Sequence, residues 1–228
     1  MTAERKAALR TAEAKAVALF DRVEELGFIA PGRLESEVNA DIHALAAAEF
    51  GTSTHWHKRI VRAGANTLCP YDDNPPDLRI EDDDIVFIDL GPVFDDWEAD
   101  YGRTYVLGDE PVKRRLVADA EACWTLGKAH YDATPDLTAS GLFDFMGELA
   151  WARGWELGQW HSGHLVGEFP HDRPPEKVHN FVMPGNDRPM RGLDGNGHRL
   201  EWILEVHFVD RERRIGAFVE QLLTVPAA

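Results

Sequence analysis

Four acidic residues, Asp89, Asp100, Glu205 and Glu220, stand in or beside apolar runs that read as β-strands, and no other feature constrains this chain as tightly. Such strands are bound for the interior, where an ionised carboxylate is strongly disfavoured unless something offsets its charge. His164 sits beside a further run of the same kind. Four carboxylates carry about four negative charges and two divalent cations return about four positive ones, so the set balances only when both ions are present. Without them it repels itself. Taken one at a time, a buried acid at a strand end has another reading, as a helix cap or a partner for Arg103.

The chain has 228 residues, 44% of them hydrophobic, which is enough for one substantial core. A single catalytic domain over 1–228 is expected, with 1–55 as N-terminal helices belonging to it. A net charge of −16 argues against nucleic-acid or anionic-membrane partners. The run Glu81-Asp82-Asp83-Asp84 reads as solvated loop. Cys69 and Cys123 fit neither a disulfide framework nor a zinc knuckle, which points to a reducing cytoplasm. The opening Met1-Thr2-Ala3-Glu4-Arg5-Lys6 lacks the apolar stretch of a secretory signal, and no segment is apolar for long enough to span a membrane.

Apolar residues at helical spacing predict helices over about Glu4 to Leu26, Leu34 to Phe50, Pro111 to His130 and Leu137 to Arg153. Ile60-Val61, Ile85 to Asp89, Tyr101 to Leu107, Trp202 to Val206 and Ala217 to Leu223 read as strands. The chain turns between Gly91 and Trp97, so that Asp89 and Asp100 face each other across a hairpin. An internal echo is also present. Pro31-Gly32-Arg33-Leu34 before a helix ending at Phe50-Gly51 parallels Thr134-Pro135-Asp136-Leu137 before a helix ending near Gly154; a His-bearing segment and acid-bearing strands follow each.

Five motifs in order then carry a resemblance over about Gly64 to Val225. They are Ile88-Asp89-Leu90-Gly91; Ala99-Asp100-Tyr101-Gly102-Arg103-Thr104; His161-Ser162-Gly163-His164-Leu165-Val166-Gly167 with His171 beyond it; Glu205; and Gly216 to Glu220. The chain resembles the pita-bread metallopeptidase superfamily of methionine aminopeptidase, aminopeptidase P, prolidase and creatinase, in motif style closest to the aminopeptidase P and prolidase branch. The resemblance implies an α+β fold: a curved antiparallel sheet with helices on its outer face and pseudo-twofold internal symmetry. It also implies ligand roles, with Asp89 chelating one metal, Asp100 and Glu220 bridging both, and His164 and Glu205 completing the other. The implied cofactors are two divalent ions, and the oxygen-rich shell suits Mn, Co or Fe at least as well as Zn. His171 would stabilise the oxyanion, Glu205 would also shuttle a proton, and His161 would line the substrate pocket or support a ligand from behind.

The departures narrow the expectation. Tyr71 stands where family members carry a substrate-contacting histidine, and a phenol is a poor base at neutral pH. His55 and His57 read as ordinary polar residues ahead of the sheet, with spatial replacement of that histidine as the other reading. Val206-His207 follows Glu205 where the family has proline, whereas the acid after His171 is kept as Asp172. Only about two helices precede the core, in place of the prolidase N-terminal domain, so selection of substrate falls to the core's loops or to a partner subunit, a homodimer being compatible. The expected function is a dinuclear metal-dependent hydrolase resembling Xaa-Pro aminopeptidase or dipeptidase, acting on a small peptide or amide. The alternatives are a non-peptide hydrolase or lyase on the same scaffold, and a non-catalytic binding module.

Overall fold

The computed structural model describes residues 3–171 and 176–224. Helices α1 (Ala3–Glu25) and α2 (Glu35–Phe50) come first, followed by strands β1 (Ile60–Ala63), β2 (Ile85–Leu90), β3 (Val93–Phe94), β4 (Trp97–Glu98) and β5 (Tyr101–Val106). Then come α3 (Pro111–Ala133), α4 (Ala139–Arg153), β6 (Glu156–Leu157), β7 (Leu165–Val166), β8 (Glu201–Asp210) and β9 (Ile215–Leu222). The expected helices and strands lie at these places, with ends shifted by a few residues. Local chemistry explains where they stop and start. Gly51 and Gly154 close α2 and α4 in the left-handed region, at φ 68 and 79. Pro111 opens α3 at a position where its missing N–H leaves no bond unmade, and Thr138 Oγ1 caps α4 by accepting from Gly141 N at 3.1 Å.

The main sheet runs β1-β2-β5-β9-β8-β6, with β7 added beside β8, and every pairing is antiparallel. Side-chain alternation gives it two different faces. On β2, Val86, Ile88 and Leu90 pack into a core with Val38 and Ile42 of α2 and Leu19 and Phe20 of α1. On β8, Leu204, Val206 and Phe208 pack into a second core with Leu116 and Ala120 of α3 and Leu142 and Met146 of α4. The intervening positions, Phe87 and Asp89 on β2, Glu205 and His207 on β8, and Phe218 and Glu220 on β9, line a cavity on the opposite face. This is the α+β pita-bread arrangement that the motifs imply.

Apolar burial rather than charge holds α1 to the sheet. Arg103 reaches Asp21 at 3.0 Å and Glu24 at 2.6 Å, but these pairs are partly exposed and such contacts contribute about 0–1 kcal/mol each. Leu19, Phe20 and Val23 are fully buried, and each side chain of that kind contributes about 1.5–3 kcal/mol. The same contacts remove Arg103 as a partner for the acids of the cavity.

One segment departs from expectation. Gly91 to Trp97 is not a plain turn: β3 and β4 form a second small hairpin, with Val93 opposite Glu98 and Phe94 opposite Trp97. Asp95 and Asp96 occupy its corner at φ 49 and 65, a primed turn that matches the strand twist and is usually made by Asn-Gly or Asp-Gly. No helix among the described residues is long and apolar enough to cross a membrane.

Candidate metal centre and its pocket

Asp89 comes from near the end of β2 and Asp100 from the residue ahead of β5, while Glu205 and Glu220 face each other directly across β8 and β9. Gly102 lies opposite both Asp89 and Glu220 in the register. A Cβ there would sit 2.5 Å from the Phe218 ring and 3.0 Å from Glu220 Cβ, so the absence of a side chain is what lets Glu220 reach inward. All four acids are 2–5% exposed. His164 enters from the loop before β7, with Nε2 at 3.1 Å from Asp100 Oδ2 and 3.4 Å from Glu220 Oε1, and with Nδ1 donating to Leu165 O at 3.0 Å. The five residues singled out from sequence therefore converge on one cavity.

Within it the ligand atoms form two tight groups among the described residues. His57, Asp89 and Asp100 make one, Asp100, His164 and Glu220 the other, and in each the atoms lie within 4.8 Å of one another. Asp100 belongs to both. Glu205 lies beside them with its Oε1 turned against His161 Nδ1. His57, expected to be an ordinary polar residue, is in the cluster, with Nε2 3.1 Å from Asp100 Oδ1 and 3.6 Å from Asp89 Oδ1. His55 is apart from it, its ring 5.9 Å from that of His43.

The electrostatics are those of charges held close and dry. Burial pushes the Asp89 carboxyl up to about 7, the Asp100 and Glu205 charges adding to the effect against the pull of His57. Burial, then the Asp100 and Asp89 charges, raises Glu220 well above the usual carboxylate range. Asp100 goes the other way: burial is outweighed by the His57 and His164 imidazoles, which hold it far below its ordinary value. Burial alone would lower His57, yet the Asp100 and Asp89 carboxylates bring it up to about 9. For Glu205, His161 outweighs burial and lowers the carboxyl. Asp89 Oδ1 and Asp100 Oδ2 are buried without a hydrogen bond. Bare, buried oxygens of this kind are costly unless a cation takes them up, so the donor set fits divalent metal.

The cavity, of about 290 Å³, has an aromatic wall of Trp160 and Phe181, with Lys177 Nζ 5.2 Å above the Trp160 ring. His161 packs against both of these rings, and it both lines the cavity and touches Glu205. His171 directs Nδ1 at Glu98 Oε2, leaving Nε2 buried, without a partner and in the cavity wall. Glu98, which the sequence reading does not single out, also accepts Gly167 N at 3.2 Å and so ties the His171 loop to β4. Its only signal is an acid two residues before Asp100, on the same side of an extended segment. Tyr71 stands at the rim, 37% exposed, its hydroxyl 3.4 Å from Lys58 N and its ring beneath Lys58 Nζ. Asp172 lies outside the described residues.

Comparison with known proteins follows the same lines. The profile of metallopeptidase family M24 matches residues 7–225. The Xaa-Pro dipeptidase of Pyrococcus furiosus is 30% identical over 151 residues, covering 64% of this chain and 41% of that protein. A recombinant prolidase from Thermococcus sibiricus superposes with a TM-score of 0.77 at 19% identity, over 98% of this chain and 57% of the other. The methionine aminopeptidase of Rickettsia prowazekii gives 0.73 at 16% identity, over 100% of this chain and 95% of the other. The chain thus spans about half the length of its dipeptidase and prolidase relatives and nearly the whole length of the aminopeptidase.

Proposed function

The chain belongs to metallopeptidase family M24, and from that premise we propose that it is a dinuclear metal-dependent hydrolase cleaving a small peptide or amide near its N-terminus. The observation that carries the reading is the convergence of Asp89, Asp100, His164, Glu205 and Glu220, with bare buried oxygens, on one cavity large enough for a small substrate. Asp89 would hold one cation, Asp100 and Glu220 would serve both, and His164 and Glu205 would complete the other. When bound, a pair of divalent cations draws a nucleophile from water at neutral pH and polarises the scissile carbonyl.

The chain's own groups do the rest. Glu98 accepts from Nδ1–H and holds the ring so that Nε2 faces the substrate, and in its doubly protonated form His171 donates from Nε2 to the carbonyl oxygen as negative charge gathers there. Glu205, kept ionised beside His161, takes a proton and returns it to the leaving amine. Trp160 and Phe181 pack the substrate's apolar part and exclude water. Tyr71 orients the substrate at the rim. Its phenol, raised by burial, does not exchange a proton near pH 7, which favours a second reading: a restricted substrate range or a non-peptide amide. Two free cysteines agree with a reducing cytoplasm.

Elemental analysis combined with a hydrolysis screen of Xaa-Pro dipeptides and small amides tests the proposal. Two divalent ions per chain and turnover that a chelator abolishes are expected. Turnover confined to non-peptide amides would select the second reading, turnover that survives the chelator would overturn the metal-dependent one, and absent turnover would leave a binding module.

A further inference from the structure

His57 and His164 meet the two oxygens of Asp100 in matching poses. Each ring uses Nδ1 on the carbonyl of the residue that follows it, His57 on Lys58 O at 2.7 Å and His164 on Leu165 O at 3.0 Å. Nδ1 donates its N–H to a backbone carbonyl, so Nε2 is the nitrogen that can offer a lone pair to a metal, the arrangement that backbone carbonyls impose on metal-bound imidazoles. Each Nε2 then meets one oxygen of the same carboxylate: His57 is 3.1 Å from Asp100 Oδ1 and His164 is 3.1 Å from Asp100 Oδ2. A second acid completes each side, Asp89 at 3.6 Å from His57 and Glu220 at 3.4 Å from His164.

The place of His57 is built into the fold. A Cβ on Gly91 would lie 2.2 Å from His57 Cδ2 and 2.3 Å from its Nε2, so only glycine leaves room for the ring. The segment before it is fastened to that corner of the sheet by Trp56 N to Gly91 O at 2.9 Å and Val93 N to Thr54 O at 3.0 Å. Trp56 stands edge-on to both imidazoles, with centroids at 4.6 and 5.2 Å, and its Nε1 donates to Ala99 O beside Asp100.

We propose that His57 is a metal ligand, the counterpart of His164, so that each of the two cations has one imidazole of its own. The inference rests on the dinuclear reading and adds to it a nitrogen donor outside the set that the motifs imply. A neutral imidazole leaves the charge balance of four carboxylates and two dications unchanged. It does change the preference: two nitrogens among the donors move the site from Mn toward Fe, Co and Zn along the usual order of affinities. The competing role, a substrate-facing base that replaces the histidine missing at Tyr71, leaves Nε2 off the metal.

The two are separated by Mn²⁺ titration calorimetry and by pulsed EPR of ¹⁴N couplings on the full chain. Wild type, His57→Ala, His57→Gln and His164→Ala are compared, Gln retaining a polar side chain of similar reach should Ala fail to fold. Two Mn²⁺ sites with imidazole nitrogen at both are expected in wild type. His57→Gln and His57→Ala should weaken one site by at least about 100-fold, the upper end of what changes behind a ligand cost, and remove one nitrogen coupling. His164→Ala should remove the other. Two full-affinity sites with unchanged couplings in the His57 variants overturn the proposal and leave the dinuclear reading standing. Fewer than two sites in wild type overturn both.

Discussion

The two halves of the chain answer each other element by element, yet they bring their acids to the centre differently. Sheet order β1-β2-β5-β9-β8-β6 reads alike from either end, with hairpin β2/β5 on one side matched by β8/β9 on the other and a helix pair behind each. The amino-terminal hairpin is interrupted by β3 and β4 and supplies aspartates at strand ends. The carboxy-terminal one closes tightly through 211–214 and supplies glutamates within strands, directly opposite each other. Like charges facing across strands destabilise a ladder, so the second half leans harder on cations than the first. Equivalent architecture thus leaves the acids' reach and their dependence on metal to be set separately in each half.

The largest test of that comparison removes one acid from each half. Asp100→Ala and Glu220→Ala are both expected to strip the protein of both ions and reduce turnover to background, read by elemental analysis after gel filtration. If one variant kept its metal, the acid it lacks would not serve both ions. Next in size is His171→Ala, expected to lower kcat by roughly 10²- to 10³-fold with metal content nearly unchanged. Glu98→Gln, which spares the ring and loosens its hold, should cost about 10- to 100-fold. Loss of metal in either variant would reassign the pair.

A smaller effect is expected at the rim. Tyr71→His should raise turnover of Xaa-Pro peptides, whereas Tyr71→Phe should mainly raise KM. Fast cleavage of ordinary peptides by the unaltered protein, at kcat/KM of about 10⁴ M⁻¹s⁻¹ or above, would remove the reason for assigning Tyr71 a narrowing role.

The smallest effect concerns the seam between the halves. Glu13 on α1 accepts Leu222 N of β9 at 2.7 Å, and burial, the larger influence, raises its carboxyl above the ordinary 4.5 against the pull of that bond. The folded chain then holds this proton more tightly than the unfolded one, so the contribution is most favourable below the unfolded value and is lost as pH rises through the folded one. Glu13→Gln should therefore melt higher than wild type at pH 7, the gain vanishing below about pH 4.5. A gain that instead grew toward acid would contradict the assignment.

What could be read from the chain divides along physical lines. Asp89, Glu205 and Glu220 are legible because each interrupts an apolar run, and α2 and α4 because glycine ends their periodic patterns. His57 is legible only as a second reading, a stand-in for the histidine missing at Tyr71, because the space that brings it to the cluster is made by Gly91, distant in sequence. Hairpin β3/β4 escapes notice because Asp95-Asp96 turns the chain without glycine. Glu98 gains its meaning only when the 167–171 loop folds over it, a contact that no local pattern encodes.

The opening left at Gly102 sets how the protein tolerates change. A substitution scan through β2, β5, β8 and β9 should find the acid positions open to partial replacement, aspartate for glutamate or the reverse, with graded loss. Position 102 should accept nothing, since even alanine drives a methyl into the Phe218 ring and levers Glu220 from its place. The least replaceable residue around this centre would then be one that contributes no side-chain atom to it.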